Sequence, residues 1–258
     1  MDVNSYVSVA SWQEAYRLLK ASPKNKILGG GLWLKKGNAQ VDTLIDLSKL
    51  NLNKIADKGE YVEVGSMVSQ RQLETSPLIK QLGGGVISDA VSQIMGPAFR
   101  ELATVGGSIY GKFGFSDLIC VLLGFKVELQ FYPSAKLSLE EYLKMPGFYD
   151  GILTHVRIYK SNAKAFFKKV AITALDYPIL NICVTHNNEY RVVVGSRPLV
   201  ALPLEGAMKY LNEGGKDIDE AVRLAMEELK LGDSMATKAS YRKQLAQTYL
   251  KRGLEEVK

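Results

Sequence analysis

Two glycine-rich segments constrain this chain more than any other feature. Ile27-Leu28-Gly29-Gly30-Gly31-Leu32-Trp33-Leu34 and Ala103-Thr104-Val105-Gly106-Gly107-Ser108-Ile109 are each fed by an apolar run, and Ser116-Asp117 follows the second. A residue without a Cβ lets backbone N–H groups come close to an anion, and successive N–H groups in a turn form a concave nest for phosphate oxygens. Either segment alone reads more simply as a tight turn. Together, and with Asp117 nearby, they read as two turns gripping one pyrophosphate from both sides.

The rest of the composition narrows the choices. A chain of 258 residues with 47% hydrophobic and 23% charged content has room for two modest domains, each with a core. The net charge of +6 invites a nucleic-acid reading. However, Lys24, Lys26, Lys35, Lys36, Lys54 and Lys58 are scattered, with no basic stripe interleaved with aromatics, so that reading ranks far behind. The absence of a signal pattern and of a membrane-spanning apolar run predicts a cytoplasmic protein that does not contact a membrane. Cys120 and Cys183 lie far apart and are the only cysteines, too few for an iron–sulfur cluster or a Cys-rich zinc site, and are expected to sit reduced in the core. His155 and His186 end or interrupt apolar β-like runs, so no metal site is predicted, and no catalytic side chain either.

Along the chain, Ser11-Trp12-Gln13-Glu14 reads as a capping box opening an amphipathic helix that Ser22-Pro23 stops. Strands are expected at 26–28, 43–47 and 61–64, a capped helix from Ser69, and a helix break at Gly83-Gly84-Gly85. After the second glycine segment, 117–123 reads as helix and 126–131 and 152–159 as strands, with Ser161-Asn162 as linker. Strands at 179–185 and 190–194 flank a hairpin turn at His186-Asn187-Asn188-Glu189, and three helical segments follow at 205–211, 218–229 and 240–257.

These residues resemble the FAD-binding medium subunit of the molybdenum hydroxylases, a family that includes xanthine dehydrogenase and carbon monoxide dehydrogenase. The family reads roughly A-G-G-T-D-L at the first loop and A-T-I-G-G-N-I, then an Asp, at the second. Ala103 to Ile109 and Asp117 match the second, with Ser108 in place of Asn. Gly151 to Ile158 is similar to the family's E-I-L-T-x-I-x-I strand. Phe167-Lys168-Lys169-Val170 and Asp176-Tyr177-Pro178 are similar to its aromatic-x-Lys and Gly-Asp-aromatic segments, and Ser240 to Leu245 to its last helix. Departures are Leu32-Trp33 for Thr-Asp, Leu175 for the Gly before Asp176, and Ala171-Ile172-Thr173 where the family has an Arg.

The resemblance implies an α/β (α+β) fold, with a two-subdomain FAD-binding domain of the PCMH type over residues 1–160 and a small α+β domain over 161–258. It implies FAD held by Leu28, Gly29, Gly30, Gly31, Leu32, Trp33 and Leu34 and by Thr104, Val105, Gly106, Gly107 and Ser108. Backbone N–H groups would face the pyrophosphate, and the Thr104 and Ser108 hydroxyls would add bonds. Asp117 would anchor the adenosine ribose or cap the following helix. Tyr110 would lie near the isoalloxazine or be a β-core aromatic. Leu153 and one of Lys168 or Lys169 would line the pocket, unless the lysines are a solvated pair. Trp33 would be an apolar plug, the favoured reading, or would stack near the cofactor. The function implied is electron transfer, xanthine dehydrogenase-like, from an iron–sulfur subunit served by a molybdenum-cofactor subunit, through FAD, to NAD or another acceptor. The alternative is an assembly subunit whose altered first loop no longer binds FAD tightly.

Overall fold

The computed structural model describes residues 1–36, 38 and 40–258. The chain opens with β1 (Asp2–Ser8), α1 (Trp12–Ala21), β2 (Lys26–Leu28) and β3 (Gln40–Asp46), whose strands form a wholly parallel sheet in the order β1-β3-β2. Ser11 Oγ accepts from Glu14 N at 3.2 Å, but the Glu14 carboxylate accepts from Ala10 N rather than Ser11 N. The expected capping box is therefore only half formed. One face of α1 seats Ala15 with Val9, Ile45 and Leu47, which leaves the C-terminal end of β2 free to lead into the first glycine loop. The N-terminal strand, absent from the sequence reading, is mostly exposed and lacks a clean alternation.

The central layer contains β4 (Ile55–Asp57), β5 (Tyr61–Gly65), α2 (Gln70–Thr75), α3 (Pro77–Lys80), α4 (Val86–Ser92), α5 (Pro97–Leu102), α6 (Val105–Tyr110), α7 (Asp117–Leu123), β6 (Val127–Tyr132), β7 (Ala135–Ser138), α8 (Leu139–Lys144) and β8 (Ile152–Tyr159). Its five strands run antiparallel in the order β4-β5-β8-β6-β7. Ser69 and Gln72 form a full capping box on α2, and Gly83, Gly84 and Gly85 all take positive φ, which breaks the chain between α3 and α4 as expected. The largest core packs α4, α6 and α7 against this sheet.

The last layer is β9 (Lys164–Val170), β10 (Leu180–His186), β11 (Tyr190–Gly195), β12 (Leu202–Pro203), α9 (Glu205–Asn212), α10 (Ile218–Glu228) and α11 (Ala239–Val257). Its antiparallel sheet is covered on both faces, which is why β10 is buried along almost its whole length. Leu180, Ile182 and Val184 face the C-terminal helices, whereas Cys183 joins the central core. Both cysteines are buried and free. The chain is thus α/β, with antiparallel sheets predominating. Among the described residues, no helix is long and apolar enough to cross a membrane.

Candidate functional site

The two glycine segments meet at a cavity of about 500 Å³, within the usual range for small-molecule sites. A Cβ built on Gly29 would lie 2.8 Å from Thr104 Oγ1 and 3.8 Å from Gly107 Cα, so the two turns touch across one hydroxyl. In the first loop, the N–H groups of Gly30, Gly31 and Leu32 have no acceptor among the described residues. Gly31 takes a φ of +72°, a conformation that L side chains rarely adopt. Gly30 is required for another reason: a Cβ there would lie 1.6 Å from Leu102 O.

The second segment is not a nest but the start of α6. Thr104 is its N-cap, accepting from Gly107 N at 3.1 Å. Val105 N donates to Val68 O, Gly106 N to Ser66 O and Ser108 N to Thr104 O. Those N–H groups, expected to face phosphate, are already paired within the protein. Ser108 Oγ donates to Thr104 O and accepts from Gln70 Nε2, so its proton is committed as well. The Thr104 hydroxyl accepts a bond while keeping its own proton to give. Gly107 faces the open cavity, since Thr104 Oγ1, at 3.0 Å, is the only atom near a Cβ built there. A Cβ on Gly106 would instead run into Ser66.

Three expected site residues point elsewhere. Val105 is buried in the central core, Leu28 ends β2 outside the cavity lining, and Lys168 extends toward Tyr249 on α11, 5.4 Å from its ring centroid. Alternation along β9 decides the lysine register, because a strand sends neighbouring side chains to opposite faces. Lys169 lies on the cavity side, donating to Gln93 O and standing 3.9 Å from the Asp117 carboxylate, its side chain 5% exposed. It is therefore not part of a solvated pair. Gly29, Gly30, Gly31, Leu32, Trp33, Leu34, Thr104, Gly106, Gly107, Ser108, Tyr110, Asp117, Leu153 and Lys169 all line the cavity. Tyr110 ends α6 rather than sitting in a strand, stacks on Phe148 at 5.3 Å and donates to Tyr149 O.

Asp117 is buried at the first turn of α7, where the cap is Ser116, whose Oγ accepts from Ile119 N. Burial pushes its carboxyl up to about 6, against the opposing pull of the Asn181 amide, 2.8 Å away, and of Lys169. Burial likewise lowers Lys169. Around the same cavity, Asn25 Oδ1, Ser66 Oγ and Gln70 Oε1 are buried without a partner among the described residues. Such atoms are costly unless a ligand or water satisfies them. Unpaired N–H groups, one free hydroxyl, orphaned acceptors and an apolar lining fit a ligand that has both a hydrogen-bonding anionic part and an apolar part.

Aromatic residues outside the expected site also line the cavity, among them Phe113 and Phe115, which the sequence reading did not single out, and Tyr177, which it named only within the Asp176-Tyr177-Pro178 segment. Phe113 and Phe115 come from the α6–α7 loop and Tyr177 from the β9–β10 loop, and all three gather around Trp33. Rings in loops carry no periodicity, so only the recurrence of Phe113 and Phe115 just after the second glycine segment could have flagged those two.

This arrangement suits a cofactor that carries phosphate and apolar rings. Residues 2–160 match the model of the FAD-binding domain in molybdopterin dehydrogenases. The chain belongs to that family, the FAD-binding medium subunits of molybdenum hydroxylases, and its cofactor is FAD. No curated protein sequence matches it. In fold it is similar to a chain of quinoline 2-oxidoreductase from Pseudomonas putida 86, with 19% identity and a TM-score of 0.88 over 98% of this chain and 96% of that one. It is equally similar to a chain of carbon monoxide dehydrogenase from Hydrogenophaga pseudoflava, with 19% identity and a TM-score of 0.88 over 98% and 96% of the two chains. A chain of reconstituted CO dehydrogenase from Oligotropha carboxidovorans gives 20% identity and a TM-score of 0.89 over 100% and 98%.

Proposed function

We propose that this chain is the electron-transfer subunit of a cytoplasmic, xanthine dehydrogenase-like molybdenum hydroxylase. It would take electrons from a separate iron–sulfur subunit, served by a molybdenum-cofactor subunit, and pass them through FAD to NAD or another acceptor. The observation that carries the reading is the meeting of the two glycine segments across Thr104 at a cavity with unpaired N–H groups. Bound FAD supplies the redox chemistry, and the chain's own residues bind and orient it and tune its potential. Gly30, Gly31 and Leu32 would donate to the pyrophosphate with the Thr104 hydroxyl, Asp117 would hold the ribose, and Tyr110 and Leu153 would flank the isoalloxazine. Lys169, a cation at the lining, would favour a reduced anionic ring. The relatives of known structure bear the names of quinoline and carbon monoxide enzymes, and the substrate of this assembly would meet only the molybdenum subunit. Residues 1–160 would form the FAD domain and 161–258 the second domain.

With only two cysteines, both buried, the chain needs another polypeptide to supply an iron–sulfur centre. Native purification is expected to yield a complex with a Cys-rich iron–sulfur chain and a large molybdenum-cofactor chain, and reducing substrate should bleach the flavin only in that complex. Oxidation of substrate by the solitary chain at the rate of the native preparation, without iron or molybdenum, would overturn the proposal. A folded chain that shows neither flavin absorbance nor stabilisation by excess FAD would point to the assembly role instead.

A further inference from the structure

Four aromatic rings line one wall of the cavity without filling it. Trp33 leaves the first glycine loop and has Phe113, Phe115 and Tyr177 around it, with centroids at 4.9, 5.4 and 6.2 Å. The rings that fill the core here are fully enclosed: Tyr142 is 0% exposed and Phe131 2%. Trp33, Phe113 and Phe115 are only half-buried, and Tyr177 is 41% exposed. Nor does any neighbour stack on the indole, since the three interplanar angles are 37°, 43° and 37°. The Lys36 ammonium stands 4.8 Å from the indole centroid and helps to fix it. Apolar rings held open on a concave wall, on three separate segments, have the form of a stacking surface more than of an enclosed plug.

We infer that Trp33, with Phe113, Phe115 and Tyr177, stacks a planar heteroaromatic ring of the bound FAD. The inference rests on the chain's being a FAD subunit and assigns the ring contact to residues outside the glycine segments' backbone. Aromatic side chains bind such rings through their faces, largely regardless of the ring's hydrogen-bonding edge. Trp33 thus contributes affinity that the polar centre of the site does not.

The test is calorimetric titration of the flavin-free full-length chain with FAD, ADP and FMN, the last two each carrying one of the two rings. Trp33→Leu is expected to weaken FAD roughly tenfold or more, and Trp33→Phe to restore most of the loss. Of the half-molecules, a selective loss for ADP places adenine on the wall, and a selective loss for FMN places the isoalloxazine there. Phe115→Leu, on a different segment, should move the same probe and serves if Trp33→Leu does not fold. Wild-type FAD affinity in both leucine variants overturns the inference, as does a fall in Tm without a fall in affinity, the mark of a plug. A wild-type chain that binds no FAD overturns the flavoprotein reading itself.

Discussion

Neighbouring glycines do different work in this site. Gly107→Val should abolish FAD binding with little change in melting temperature, because its side chain would enter the cavity with only Thr104 Oγ1 in contact. Gly106→Ala should do the reverse. Its methyl would sit 2.6 Å from Ser66 Cβ, an overpacking that costs about 1–3 kcal/mol in urea unfolding. Asp117 allows a pH prediction. Its folded carboxyl sits at about 6, above the roughly 3.9 of an unfolded Asp, so the folded chain binds the proton more tightly. That stabilisation is complete below about pH 4 and is lost as pH rises through about 6. Relative to Asp117→Asn, the flavin-free wild type should therefore lose on the order of 2–3 kcal/mol between about pH 4 and pH 7. Melts giving a difference independent of pH would contradict this. That the glycine segments and Asp117 share one cavity was legible because spacing and chemistry mark them, whereas Leu153 was reached only through the resemblance to the family. Lys168 and Lys169 were not told apart, because β9 is half-buried on both faces and shows no polar alternation.

At the level of elements, α6 was the least legible. Adjacent glycines disfavour helix, yet the Thr104 cap and the close fit of Gly106 against Ser66 draw the segment into one. Tertiary packing overrode propensity there, whereas α1, α2 and α7 followed their caps and apolar faces. Another packing-defined unit is the wall around Ile94, Met95 and Phe99. Arg100, 4% exposed, donates to Glu74 Oε2 at 2.7 Å and to the carbonyls of Ile94 and Met95, tying α5 to α2 and to the loop that lines the cavity. Arg100→Met removes these bonds together and leaves Glu74 with Arg71 alone, at an expected cost of about 3–5 kcal/mol. Denaturant unfolding measures the cost. A loss below about 1 kcal/mol would show that the pair adds nothing beyond a surface bridge.

Across the whole molecule, α7 joins the layers. Its closing carbonyls are met by side chains from the last sheet: Arg191 Nε donates to Leu123 O at 2.8 Å and Thr185 Oγ1 to Gly124 O at 2.6 Å. Gly124 permits this approach, since a Cβ there would stand 2.7 Å from Cys183 Sγ. The sequence reading places a linker at Ser161-Asn162 but gives no sign of this union, because nothing local announces a helix end capped by a distant strand. Calorimetry of the full chain should show one cooperative transition, and a 1–160 fragment should be markedly less stable than the whole. Two well-separated transitions would contradict that. The same union sets an order of events during synthesis. The side chains that close α7 lie 61 to 68 residues downstream of the carbonyls they meet. At ribosomal speeds of about 5–20 residues per second, the helix waits roughly 3 to 14 s for its partners. For that interval the nascent flavin domain carries an unfinished helix end, its last carbonyls left to water.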